Sequence, residues 1–114
     1  MIYTKSLNYK YETDVFVAGG GPSGVAAAVA ASRSGKKVFL AEATGCFGGL
    51  GTSGLVPAFA PFDDGENVLA SGIGYEIRQR LAQSTPLRNW TTLDIEELKR
   101  EYTKIAEEFL KMQI

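Results

Sequence analysis

The chain has 114 residues and a formal net charge of −1, from 12 basic and 13 acidic side chains, and 45% of its residues are hydrophobic. These values describe one globular domain, and they exclude the strongly basic surface that nucleic-acid binding requires. Because the sequence has no histidine and only one cysteine, Cys46, we expect neither a metal site nor an internal disulfide.

The first half of the chain is predicted to form a strand, a helix and a second strand. Residues 14–18 are mostly apolar and end at three consecutive glycines, which indicates a buried strand entering a tight turn. Pro22 suits the first turn of the helix that follows, and Gly35 supplies its C-terminal stop. Residues 38–41 form the second buried strand, which ends at Glu42. A helix between two such strands predicts an α/β fold, built on a right-handed βαβ unit with parallel strands.

A loop and a small hairpin are predicted next. Residues 43–54 contain too many glycines for a regular element and should form a loop whose backbone lies close to another part of the site. Residues 55–62 and 66–70 flank the sequence DDG, a combination typical of a hairpin with a tight turn.

Two further helices complete the predicted elements. Ile73, Ile77 and Leu81 recur at every fourth residue, which indicates a helix that ends before a proline at position 86. Asp94 and Glu97 resemble a capping box at the start of the last helix. Its apolar stripe has spacings of three and four; the residues are Ile95, Leu98, Tyr102, Ile105, Phe109 and Met112. We expect this stripe to pack in the core, with a coiled coil or a partner-binding helix as the alternatives.

The turn between the first strand and the first helix carries a dinucleotide-binding motif, G-x-G-x-x-G. In this motif Gly19 permits the sharp turn, Gly21 lets a pyrophosphate approach the backbone, and Gly24 lets the helix pack closely on the strand. Glu42, at the end of the next strand, is placed to accept hydrogen bonds from ribose hydroxyls and would repel a 2′-phosphate, which disfavours NADP. The alternative is a glycine-rich turn without a ligand and a solvated Glu42.

The sequence from position 11 to 81 resembles the N-terminal part of FAD-dependent oxidoreductases. The resemblance is carried by GGGPSG at 19–24, by Glu42, and by the GG-rich loop that follows it, and it extends more loosely to residues 93–109. It implies a Rossmann-like FAD-binding unit. The residues that it implies along the FAD pyrophosphate are Gly19, Gly21, Pro22, Ser23 and Gly24. It further implies that Glu42 binds the adenosine ribose.

The same resemblance implies a role for the second glycine-rich loop. Gly48, Gly49 and Thr52 are implied to pass close to the ribityl and flavin portions of FAD. Cys46 precedes the GG pair, but a dithiol mechanism is excluded because a second cysteine is absent. We interpret Cys46 as a small packed residue, with a redox role as the alternative.

The function expected from this resemblance is that of the FAD-binding segment of an oxidoreductase. The flavin would carry hydride or electron transfer to or from an unidentified small molecule, and the sequence assigns no catalytic residue. Two alternatives remain open. One is a non-catalytic nucleotide-binding or interaction module that docks a partner subunit, and the other is an NAD-binding oxidoreductase domain.

Family members are several times longer, so we expect residues 1–114 to be a partial dinucleotide-binding domain, a truncated N-terminal segment of a longer flavoenzyme. We expect this segment alone to be inactive as an oxidoreductase. Uncovered strand edges and amphipathic helices then favour self-association through the C-terminal helix. We expect a cytoplasmic location without membrane contact, because the N-terminus lacks the apolar core of a secretory signal. The longest apolar run, 25–31, is also far short of the roughly 18 residues of a membrane span.

Overall fold

A parallel pair of strands joined by a helix forms the centre of the fold in the computed structural model, which describes residues 1–56, 58–84, 91–92 and 94–109. Strand β1 (Val15–Ala18) is followed by helix α1 (Pro22–Arg33) and strand β2 (Val38–Ala41). The two strands pair in parallel, from Val15 opposite Val38 to Ala18 opposite Ala41. The predicted βαβ unit with parallel strands is therefore confirmed.

The ends of α1 follow from the residues that flank it. Pro22 occupies the first turn, where its missing N–H costs no helical hydrogen bond. At the other end, the N–H of Ser34 donates to the carbonyl of Ala30 at 3.1 Å. Gly35 then takes a φ of +78°, a conformation that glycine adopts without the penalty of a Cβ.

Helices α2 (Ile73–Ser84) and α3 (Ile95–Phe109) are both present where the sequence predicts them. Asp94 caps α3, because its Oδ1 accepts the backbone N–H groups of Glu96 at 2.9 Å and Glu97 at 3.0 Å. The proposed stop of α2 at position 86 and the last member of the α3 stripe, Met112, lie outside the described residues. Within the described part of the chain, no helix has the length and apolarity needed to cross a membrane.

The core lies where the three helices meet on one face of the β1–β2 sheet. Its fully or almost fully buried side chains are Val25 and Val29 of α1, Ile77 and Leu81 of α2, and Leu98, Tyr102 and Ile105 of α3. A second cluster pairs Ala28 of α1 with Ala106 of α3, and Val17, Val38 and Leu40 of the sheet pack against it. Leu98, Tyr102 and Ile105 of the α3 stripe are thus part of the core, as predicted.

The predicted hairpin forms only in part. Residues 55–62 and 66–70 reverse direction as expected, and they are joined by an antiparallel bridge between Asp63 and Val68. The short strand β3 (Ala58–Phe59), however, pairs antiparallel with strand β4 (Thr91–Thr92), which the sequence did not indicate. The Phe62 ring at the end of the first arm lies 6.0 Å from the Tyr75 ring, so this arm also contacts α2.

A network of ion pairs ties the three helices together on the outside of the core. Glu76 of α2 accepts Arg33 of α1 and Arg80 of its own helix, each at 2.8 Å. Arg80 also donates two hydrogen bonds of 2.8 Å to the two carboxylate oxygens of Glu108 in α3. Burial raises the pKa of Glu76, but the hydrogen bonds from Arg33 and Arg80 outweigh it, so the pKa is lowered overall. Hydrogen bonding to Arg80 likewise lowers the pKa of Glu108.

We predict that Glu76→Gln reduces the free energy of unfolding at neutral pH by about 1 kcal/mol, since it removes the charge shared by two arginines at a partly exposed site. A carboxylate with a lowered folded-state pKa stabilises the fold above its unfolded-state pKa, and this contribution is lost as the pH falls through the folded-state value. The free energy of unfolding, measured with denaturant, should therefore fall more steeply between neutral and acid pH for the wild type than for Glu76→Gln.

The matched control is Glu66→Gln, the same change at an exposed position outside the helices, which makes no ion pair with the described residues. Equal losses for both variants would contradict a stabilising role for the network.

Candidate cofactor site

The turn after β1 is built from two glycines with different structural tasks. Gly19 has a φ of +105° and donates its N–H to the carbonyl of Ala41 at 2.8 Å, so it ends the sheet ladder as it turns the chain. A Cβ at Gly24 would lie 1.8 Å from the carbonyl oxygen of Gly19. The sharp turn and the close helix approach are the structural tasks that the G-x-G-x-x-G motif predicts for these glycines.

Gly21 stands at the N-cap of α1 and faces open space. A Cβ added there would meet no atom of the described residues within 4 Å. The first turn of α1 contains no acidic residue, and no side chain caps it. Pro22 and Ser23, which follow, are exposed. No side chain of the first turn therefore occupies the positive end of the helix dipole, which is open to an approaching anion.

The second glycine-rich loop packs directly on the first. Gly48 donates its N–H to the carbonyl of Gly20 at 2.9 Å, and a Cβ at Gly49 would lie 3.0 Å from the Cα of Gly21. Gly48 has a φ of +106°, and a Cβ there would also lie 2.8 Å from the Tyr102 ring of α3. The two loops form one surface, and α3 supports it from behind.

Glu42 joins the two loops through its carboxylate. Oε2 accepts the backbone N–H of Gly20 at 2.6 Å, and Oε1 accepts the N–H and the hydroxyl of Thr44 at 2.7 and 2.9 Å. The backbone hydrogen bond from Thr44, followed by that from Gly20, lowers the pKa of Glu42, so the group stays charged at neutral pH. A carboxylate offers about four acceptor positions, which leaves room for a further donor.

Thr52 and Cys46 lie in the second loop with partners inside it. Thr52 is fully buried, and its hydroxyl donates to the carbonyl of Phe47 at 2.7 Å and more weakly to that of Gly49 at 3.4 Å. Cys46 is a free, half-buried thiol with its Sγ 3.2 Å from the hydroxyl oxygen of Ser53. The arrangement gives Thr52 a part in holding the loop, and its direct contact with a cofactor stays a prediction.

Two residues of the site, Gly20 and Phe47, were not predicted from the sequence. Gly20 fills the variable position of the motif, yet a Cβ there would lie 2.5 Å from the Phe47 ring and 3.1 Å from Cβ of Glu42. Phe47 therefore packs where only glycine leaves room. The signal available in the sequence was the glycine at the second position, because the motif itself requires glycine only at the first, third and sixth positions.

The joined loops combine backbone donors with one carboxylate. Residues 19–24 and 42–54 contain no lysine and no arginine. A phosphate at this surface would be bound by peptide N–H groups and the helix dipole, and a hydroxyl donor would be bound by Glu42. This combination suits a ligand that carries both a diphosphate and a sugar.

Comparison with known proteins gives one family. A family model described as FAD dependent oxidoreductase matches residues 14–113 of the chain. No curated protein and no solved structure matches the chain.

We predict that Gly24→Ala destabilises the protein by roughly 1–3 kcal/mol, because the added methyl group collides with a backbone carbonyl that cannot move aside without disturbing the turn. Gly21→Ala is the matched control, since its methyl group enters open space at a φ of −66°. Denaturant unfolding of both variants measures the difference. Comparable stabilities would contradict the close packing of α1 on the turn.

Proposed function

This chain belongs to the FAD-dependent oxidoreductase family, and we propose that it binds FAD across the two joined glycine loops for the oxidation or reduction of a small molecule. The observation that carries the proposal is the open N-terminus of α1 at Gly21 beside the charged carboxylate of Glu42. These are the two features that a dinucleotide requires at the start of a βαβ unit.

The diphosphate of FAD would lie against residues 19–24. Gly19 and Gly21 support this assignment, because a Cβ at either position would point into space free of other described atoms. Gly24 contributes indirectly, since it sets the closeness of α1 to the turn. Pro22 and Ser23 complete the loop, and both are exposed to an approaching ligand.

The adenosine ribose would be bound by Glu42. Three of its acceptor positions are already used by Gly20 and Thr44, so the carboxylate is fixed in direction before a ligand arrives. A fixed carboxylate loses little side-chain freedom when it accepts a hydroxyl. Its negative charge also argues against a 2′-phosphorylated dinucleotide.

The second loop would follow the ribityl chain towards the flavin. Gly49 packs on Gly21 and Pro22, so the second loop continues the surface on which the diphosphate would lie. Bound FAD supplies hydride or electron transfer, while the chain supplies position and electrostatics. We assign the substrate no identity beyond a small molecule, and we assign no catalytic acid or base.

The nature of the dinucleotide is tested by the spectrum of the purified protein. Bound FAD should give a yellow protein with a flavin absorption band, and the cofactor released on denaturation should be FAD. Binding of NAD with no flavin would favour the alternative of a nicotinamide-dependent domain.

We predict that Gly21→Glu abolishes detectable FAD binding while the fold persists, because the side chain and its charge would occupy the diphosphate position. Titration of the apoprotein with FAD measures the affinity, and circular dichroism checks the fold. The control is Gly74→Glu, which adds the same side chain in the first turn of α2, outside both loops. Equal FAD affinities for the two variants would remove the diphosphate assignment.

We predict that Glu42→Ala weakens FAD binding by about 1–3 kcal/mol, the usual cost of losing hydrogen bonds to a charged acceptor. Thr44→Val separates the loop-ordering role, since it removes one hydroxyl bond to Glu42 but keeps both backbone donors. We expect a much smaller loss for Thr44→Val. Because the pKa of Glu42 is lowered, wild-type affinity should hold at neutral pH and fall only in acid. Unchanged affinity in Glu42→Ala would contradict the ribose role.

A further inference from the structure

The ring of Phe47 lies against Gly20 at the point where the two glycine loops meet. A Cβ added to Gly20 would lie 2.5 Å from Cδ1 of this ring and 3.1 Å from the Cβ of Glu42. Because that position is one bond away from the Cα of Gly20, the ring is in van der Waals contact with the Gly20 backbone. Gly20 in turn donates its N–H to Oε2 of Glu42 at 2.6 Å. A short series of contacts thus leads from Phe47 through Gly20 to the Glu42 carboxylate.

The peptide that donates to Glu42 has little stiffness of its own. It joins Gly19 to Gly20, and a third glycine follows. Glycine has more backbone freedom than any other residue, so contacts from outside this run must fix the direction of the N–H group. The second loop supplies two such contacts to Gly20. The Phe47 ring lies at its Cα, and Gly48 donates its N–H to the Gly20 carbonyl at 2.9 Å.

Phe47 is itself held independently of Gly20. Its half-buried side chain packs against both clusters of the hydrophobic core. Its carbonyl accepts the hydroxyl of the fully buried Thr52 at 2.7 Å. Phe47 therefore connects the core of the fold to the peptide that orients Glu42.

We propose that Phe47 is a positioning residue for nucleotide selectivity: by holding Gly20, its ring fixes the Glu42 carboxylate in the direction that accepts the 2′-hydroxyl of a ribose. This inference rests on the proposed function, in which Glu42 binds the adenosine ribose. A carboxylate held at both oxygens keeps one orientation. Without the Gly20 donor, Glu42 would be held only at Oε1, by Thr44, and could turn about that side.

The alternative is that Phe47 only fills space in the core. Loss of a core ring lowers stability, but it would leave the selectivity between two closely related nucleotides unchanged. Phe59 provides a matched control for this alternative. It is a second half-buried phenylalanine, it packs against one of the same core clusters, and it lies in β3, outside both loops.

The first measurement needs no ligand. Titration of the purified protein, followed by NMR, gives the pKa of the Glu42 carboxyl group, which the hydrogen bonds from Thr44 and then Gly20 lower. In Phe47→Ala we expect this pKa to rise towards its ordinary value, because the Gly20 N–H is no longer held towards Oε2. Phe59→Ala should lower the free energy of unfolding as well, yet leave the pKa of Glu42 unchanged.

The second measurement compares the affinities for ADP and 2′-deoxy-ADP, which carry the diphosphate and differ only in the 2′-hydroxyl of the ribose. The wild type and Phe59→Ala should prefer ADP by about 10-fold or more, the ratio expected for a hydrogen bond to a charged acceptor. In Phe47→Ala this ratio should fall towards one. Phe47→Leu keeps an apolar side chain in the core, which guards against loss of the fold, and should change the pKa and the ratio in the same directions.

Three results would each overturn the proposal. They are an unchanged pKa of Glu42 in both Phe47 variants, an equal pKa change in Phe59→Ala, and a full preference for ADP in Phe47→Ala. A wild type that binds neither nucleotide would contradict the ribose role of Glu42 and, with it, the selectivity. The measurement without ligand would then decide separately whether Phe47 fixes the carboxylate.

Discussion

The arrangement of the site depends on backbone contacts that leave no room for a Cβ. At Gly24 the obstacle would be the carbonyl of Gly19, and at Gly20 it would be the ring of Phe47. The glycines at 48 and 49 allow the second loop to reach the first and to lie against α3. Each contact brings main chain against main chain or against a large side chain. Replacing any of these glycines would force apart the surfaces that create the site.

This constraint links the candidate site to the hydrophobic core. Tyr102 and Leu98 of α3 are core residues, and the same side chains lie against Gly48 and Gly51 of the second loop. Helix α1 carries the first loop at its N-terminus and also packs against α2, α3 and both strands of the parallel sheet. Loss of helix packing would therefore disturb both loops, because α1 and α3 contact them directly.

The sequence predicted the elements whose signals are local. The βαβ unit follows from apolar runs and glycine stops, and α3 follows from its apolar spacing and from Asp94, which the structure has as its cap. The pairing of β3 with β4 was missed, because two-residue strands carry no periodicity and their partners are remote in sequence. The contact between Gly20 and Phe47 was missed because the two residues are remote in sequence and the extra glycine does not indicate its partner. The sequence does not indicate which of its distant segments contact one another, because tertiary packing decides this.

The absence of lysine and arginine from both loops affects how a phosphate ligand would arrive and stay. Attraction by charged lysine and arginine side chains acts over a distance and is weakened by salt, whereas peptide dipoles act at contact and are screened little. A diphosphate held by such dipoles would gain little from long-range steering. Its affinity would therefore depend less on ionic strength than the affinity of a site built from lysine and arginine side chains.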